Sequence, residues 1–184
     1  MVRVVLPVSG SIRVTVPTSG WVTQTASADA ATDPGRDSML AVTMAAFDGV
    51  EMAGRTDRWI LDDAASRAGV DLGGDNFHRF RDRYVVRLAD TLREPTPGKG
   101  VLPGVRRLLE TLDMHDDVFS ALLTGNCEDG ARIKLQHFDI WKFFRCGAYG
   151  DDVTDRNHLF GIAIQQAEAC GAPPVQPGDV VVIG

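Results

Sequence analysis

The chain has 184 residues, 44% of them apolar, which is enough for one well-buried core with a modest insertion and too few for two full-sized domains. Its 25 acidic and 19 basic residues leave a formal charge of -6, which removes the basic footprint that a nucleic-acid partner requires. No apolar run approaches the ~20 residues of a membrane span, and Met1 to Gly10 lacks a signal-peptide pattern, so the expected setting is cytoplasmic with no membrane partner.

Val2-Arg3-Val4-Val5-Leu6 is a β-branched run stopped by Pro7 and Gly10, and it reads as a first core strand followed by a turn. Ile12 to Val16 alternates apolar with polar residues and suits a small hairpin arm. Thr18 to Ser38 is rich in Ser, Thr, Ala, Asp and Gly without periodicity, and reads as loop. From Gly49 to Leu92 the pattern turns helical, with Ile60, Ala64 and Ala68 on one stripe and Phe77, Phe80, Tyr84 and Leu88 on another. Thr56 is placed to cap the first of these helices, and Asp57 sits where a carboxylate complements the N-terminal dipole. Glu94 to Gly100, with two prolines and two glycines, has linker composition and bounds the helical block.

Beyond the linker, helix and strand alternate. Pro103 and Gly104 open a helix with Val105, Leu108, Leu109 and Leu112 inward; Val118 to Leu123 is an apolar strand; Asn126 to Phe138 is helical. Cys146 to Tyr149 is a short strand, Asn157 to Cys170 a helix with Phe160, Ile164 and Ala167 inward, and Val180 to Ile183 a continuous apolar strand. Helical crossovers of this length predict an α/β fold, a parallel-sheet Rossmann-like core with helices on both faces and ligands at the carboxyl ends of its strands. The expected organisation is residues 1–46 as first strand plus loop or arm, 47–96 as an inserted α-helical cap, and 97–184 as the rest of the core.

Cys127, Cys146 and Cys170 are odd in number and widely spaced, which suits neither a disulfide framework nor paired zinc ligands; buried free thiols are expected. His78, His115, His137 and His158 have no metal-type spacing. Leu122-Leu123-Thr124-Gly125-Asn126 is the segment with chemistry in it. Thr124 offers a hydroxyl, Gly125 lets backbone approach a phosphate, and the amides opening the next helix face the same point. A plain strand-to-helix turn capped by Asn126 accounts for the same residues.

Val101-Leu102-Pro103-Gly104-Val105, Leu122 to Asn126, Lys134-Leu135-Gln136-His137-Phe138, Tyr149-Gly150-Asp151-Asp152 and Gly178 to Gly184 together resemble the haloacid-dehalogenase superfamily, most closely its phosphoglycolate-phosphatase-like branch. Gly54-Arg55-Thr56-Asp57 resembles the start of that branch's helical cap, and order and spacing are kept from about Phe47 onward. The resemblance implies a Mg²⁺-dependent phosphoric monoester hydrolase. In that family an aspartate after the first strand attacks phosphorus, and a second aspartate two residues on serves as acid and base. A Thr or Ser holds the transferring group, a Lys or Arg neutralises its charge, and later acidic residues complete the metal's hard oxygen shell. Carried over by position, Thr124 is the phosphate-holding hydroxyl, and Gly125, Asn126, Arg55 and Thr56 are substrate-binding positions. Arg156 is favoured over Lys134 as the cation because its planar fork suits phosphate oxygens. A surface ion pair accounts equally for Arg156, and a solvated helix face for Lys134.

The departures fall on the acidic machinery. Pro7 stands at the nucleophile position and Ser9 at the acid/base position, while Ala46-Phe47-Asp48-Gly49-Val50 would keep only the second aspartate. Gly184 falls just where the family places its metal-binding aspartates, so a truncated final segment is expected. Removing a covalent nucleophile typically costs about 10⁴ to 10⁶ in turnover, so the expected protein is a hydrolase relative without useful activity, with Mg²⁺ implied by the family but not held by this chain. A pseudoenzyme, a gene fragment and a shifted reading frame would all be written this way. Two other expectations are an active hydrolase using Asp48, Asp151 or Asp152, and a non-catalytic module binding a small phosphorylated metabolite or a protein. Self-association through the last apolar strand is also expected.

Overall fold

The computed structural model describes residues 3–7, 12–13, 47–70, 76–95, 99–151 and 153–183. In chain order the elements are β1 (Arg3–Pro7), β2 (Ile12–Arg13), α1 (Asp57–Arg67), α2 (Asn76–Arg93), β3 (Gly100–Val101), α3 (Val105–Asp113), β4 (Val118–Leu123), α4 (Glu128–His137), β5 (Cys146–Ala148), α5 (His158–Ala169) and β6 (Val180–Ile183). Single 3-10 turns lie at Trp141–Phe143 and Pro177–Asp179. The loop predicted over Thr18 to Ser38, and Val14 to Val16 of the predicted arm, lie outside the described residues.

The main sheet has the order β5-β4-β1-β6, and each neighbouring pair is parallel. The protein is therefore α/β, as the alternation of helix and strand predicts. β4 explains why both faces are covered. Phe119, Ala121 and Leu123 point to one side, where they pack with Ala148 and with Leu159, Ala163 and Ala167 of α5. Leu122 points to the other, against Leu109 of α3, Ala131 and Leu135 of α4, and Ile140 and Phe143 beyond it. A strand with an apolar cluster on each side must be apolar along its length, and that is why Val118 to Leu123 reads as a continuous run.

Helices α1 and α2 carry smaller clusters of their own. Leu61 and Ala65 meet Phe77, and Val50 meets Ala64. Tyr84, Leu88 and Leu92 of α2 pack on Cys127 and Ile133 beside the sheet's helices, so the α1/α2 block is fastened to α4.

Several expectations need correction. Ile12 and Arg13 of the predicted arm pair antiparallel with Val101 and Gly100, inside the stretch read as linker and its continuation. In α5 the buried residues are Leu159, Ala163 and Ala167, so Ala167 is inward as expected while Phe160 is 37% exposed. Leu108 of α3 is likewise exposed at 38%, leaving Leu109 as that helix's buried residue. Val181 and Val182 of β6 are exposed, because β6 lies at an edge of the sheet among the described residues. Of the cysteines only Cys127 is buried; Cys146 is half-buried and Cys170 exposed.

The rotated face of α5 makes a direct test. Leu159→Ala should cost about 2–5 kcal/mol in urea unfolding, as for other buried leucines, whereas Phe160→Ala should cost under about 1 kcal/mol. The reverse ranking would put Phe160 back in the core.

Candidate active-site region at the strand ends

Three backbone segments meet at the carboxyl ends of the parallel strands, the place where ligands of such sheets bind. They are residues 124–126 after β4, 148–151 after β5, and 55–58 at the start of α1. The amide of Thr124 donates to Ala148 O at 3.0 Å, and that of Gly150 to Asn126 O at 2.8 Å. The amides of Asp57 and Arg58 donate to Gly125 O (2.7 Å) and Gly150 O (3.2 Å). A Cβ on Gly125 would stand 2.6 Å from Arg55 O, and one on Gly150 would stand 2.1 Å from Gly125 O. Only a residue without a side chain fits at either position.

The start of α1 is thus satisfied by carbonyls of the strand-end loops, with Thr56 as its N-cap accepting from Trp59 N at 3.1 Å. The start of α4 is satisfied in return by carboxylates. Asp57 Oδ2 accepts from Cys127 N at 2.9 Å, and Asp151 Oδ2 accepts from Glu128 N at 2.7 Å. Asn126 does not cap α4, since Cys127 is the N-cap residue. Instead its amide nitrogen donates to Asp57 Oδ1 at 3.1 Å while its oxygen accepts from Lys134 Nζ at 3.1 Å. Thr124 is fully buried, and its hydroxyl oxygen accepts from Asn126 N at 3.1 Å. The amides that the sequence aims at an external anion are already bonded to the chain's own oxygens.

Asp57 gives this region its electrostatics. Burial pushes the Cys127 thiol up to about 12, and the Asp57 charge adds to it. Burial and then Asp57 hold the Tyr84 hydroxyl well above its ordinary range. Lys134 is half-buried overall with its ammonium end enclosed; burial lowers its pKa and the Asp57 charge opposes that. It is therefore no solvated helix-face lysine. Arg81 of α2 adds longer contacts to Asp129 and Asp151, each at 3.7 Å.

Beside this clasp lies a cleft of ≈ 340 Å³ lined by Arg55, Trp59, Thr154, Asp155, Arg156 and Asn157, among others. Arg55 is held by Glu51 at 2.6 Å and lies over the Trp59 ring at 4.4 Å. The Arg156 guanidinium has no ion-pair or hydrogen-bond partner among the described residues, so a surface ion pair does not explain it.

The predicted positions therefore divide into two groups. Thr124, Gly125, Asn126, Lys134 and Thr56 belong to the closed clasp, while Arg55 and Arg156 face the open cleft. Pro7 ends β1, and continuing the register Val5↔Ser120 brings it level with Leu122, two residues before Thr124. Ser9 and Asp152 lie outside the described residues, and Asp48 is exposed in the turn before Val50. Sequence reasoning missed the long-range partner of Asp57, the use of Asp151 as a helix cap, and Trp59 in the cleft. The signal for Trp59 was available, three residues on from Thr56 and on the first turn of a predicted helix. None existed for the two carboxylates, whose partners are distant in sequence.

Mg²⁺, which the resemblance implies, finds a poor donor set here. Among the described residues no three carboxylate, imidazole or thiol groups gather, and Asp57 and Asp151 already accept from amides. The described residues do not fit the octahedral oxygen shell of that ion, and no step is derived through it.

The α/β fold defined by this sheet and these strand ends is found in a solved structure as well. One solved structure that shares it is described as a putative beta-phosphoglucomutase from Thermotoga maritima, 19% identical in sequence, with a TM-score of 0.55 over 99% of this chain and 75% of that one. No family model and no curated protein matches the sequence. Among the described residues no helix is long and apolar enough to cross a membrane.

The two glycines of α5 and the strand-end loop separate crowding from propensity. Gly150→Ala should cost about 3 kcal/mol or more, because backbone must move to admit the methyl group. Gly161→Ala, in α5 with open space around the new atom, should be neutral or stabilising by about 0.5–1 kcal/mol. Thermal melts of the two variants check this, and equal effects would contradict the close approach at Gly150.

Proposed function

We propose that this chain is a haloacid-dehalogenase-type protein that does not hydrolyse phosphate monoesters at an enzymatic rate, with residues 47–96 as its cap. Pro7 carries the proposal. The resemblance assigns the end of the first strand to an attacking carboxylate, and Pro7 ends β1 with a saturated ring that has no nucleophilic atom. The engagement of Asp57 and Asp151 by helix amides supports the same conclusion, since neither carboxylate is left free to attack or to activate water. Loss of the nucleophile lowers turnover by about 10⁴ to 10⁶, beyond recovery by the remaining groups. Hydrolysis of p-nitrophenyl phosphate with Mg²⁺ is the test. The expected rate is indistinguishable from buffer, and clear turnover abolished by Thr124→Ala would overturn the proposal.

A binding role is favoured by one specific observation, the Arg156 guanidinium that lines the cleft beside Arg55 and Trp59 with no partner among the described residues. A fixed guanidinium fork recognises phosphate oxygens in pairs, and an indole beside it offers an apolar wall to the rest of a small molecule. The ligand class is a small phosphorylated metabolite. Titration calorimetry with phosphoglycolate should give measurable heat that Arg156→Ala removes, and Lys134→Met, altering a residue outside the cleft, should not remove it in any variant that remains folded. No heat from the unsubstituted chain would rule out this ligand.

A further inference from the structure

We propose that Cys146 and Cys170 form a dithiol pair that closes to an intramolecular disulfide, a modification site at the end of the sheet opposite the Thr124 loops. The two residues are 24 positions apart, and nothing in their spacing joins them. The topology does. Cys146 is the first residue of β5, and α5 follows that strand and packs back along it through Leu159, Ala163 and Ala167. A helix returning along the strand that precedes it brings its last turn beside that strand's start, and Cys170 is the C-cap residue of α5. Cys146 packs against the cluster that holds Ala167 and Ala172, the residues three before and two after Cys170, and both thiols are free.

The two sulfurs differ in access, which sets the order of events. Cys170 is exposed and meets an external oxidant first. Cys146 is half-buried beside the α5 cluster, and its thiol is pushed up to about 12, first by burial and then by Cys170 itself. It is a poor nucleophile until a disulfide sulfur is placed against it. With a low-molecular-weight disulfide as oxidant, the Cys170 thiolate attacks one of its sulfurs and expels one thiolate, leaving a mixed disulfide on Cys170. Cys146 then gives its proton to solvent, attacks Cys170 Sγ and expels the second small thiol. One external disulfide is reduced to two thiols, and the pair loses two electrons and two protons. The bond fastens the last turn of α5 to the start of β5, which lies at an edge of the main sheet among the described residues.

The whole chain is incubated with glutathione disulfide, quenched in acid, and read by intact mass and by peptide mapping. The expected product is a monomer lighter by two hydrogens, with a Cys146–Cys170 cross-linked peptide, free thiols falling from three to one, and full reversal by dithiothreitol. Cys146→Ser should stop at a stable glutathione adduct on Cys170, and Cys170→Ser should take up no glutathione at Cys146. A glutathione adduct that persists on Cys170 in the unsubstituted chain overturns the proposal. So does a Cys170-linked dimer, a cross-link through Cys127, or no reaction at Cys170 at neutral or mildly alkaline pH.

Discussion

Two helix starts, those of α1 and α4, face each other across the strand ends, and the structure depends on how that meeting is satisfied. Each helix start exposes unpaired amides and the positive end of a dipole, so two of them brought together would repel and leave donors unbonded. Here carbonyls of Gly125 and Gly150 take the amides of α1, and carboxylates of Asp57 and Asp151 take those of α4. Asp57 serves both ends at once, opening one helix and capping the other. From that placement it reaches Lys134 through Asn126, and it adds to the rise of the Cys127 thiol that burial begins.

The same contact sets what chemistry the region can support. On a parallel sheet the amides beyond the strand ends are the natural holders of an anion. In this chain they hold internal carboxylates, and the fully buried Thr124 hydroxyl completes a local turn. An incoming phosphate would have to displace charged, hydrogen-bonded oxygens that are already in place. The cleft beside them asks for no such exchange, because Arg156 faces it without an internal partner among the described residues. Under the proposed reading, recognition has moved from the strand-end amides to that cleft while the fold has stayed.

The sheet has consequences away from the site as well. Alternation along β4 divides the core into two apolar clusters, one under α5 and one under α3 and α4. Returning α5 along β5 buries Leu159, Ala163 and Ala167, and it also brings Cys170 back to Cys146.

Much of this architecture was legible in the sequence. Periodicity located α1 to α5 and the apolar runs of β1, β4 and β6, and Thr56 was recognisable as a cap because capping is a contact between residues three apart. Local signals of that kind are written in neighbouring residues. Which face a short helix buries was less legible: in α5 Leu159 and Phe160 are adjacent and both apolar, and only contact with β4 selects the first. Asp57 could be read as a favourable charge at its own helix, but not as the cap of another helix some seventy residues on. The same limit hid the pairing of Ile12 with Val101 and of Cys146 with Cys170. The sequence by itself determined an alternating α/β chain with a threonine-glycine turn at a strand end. The tertiary structure alone decided that this turn is closed by internal carboxylates, because hydrogen bonds between distant segments exist only after the sheet has brought them together.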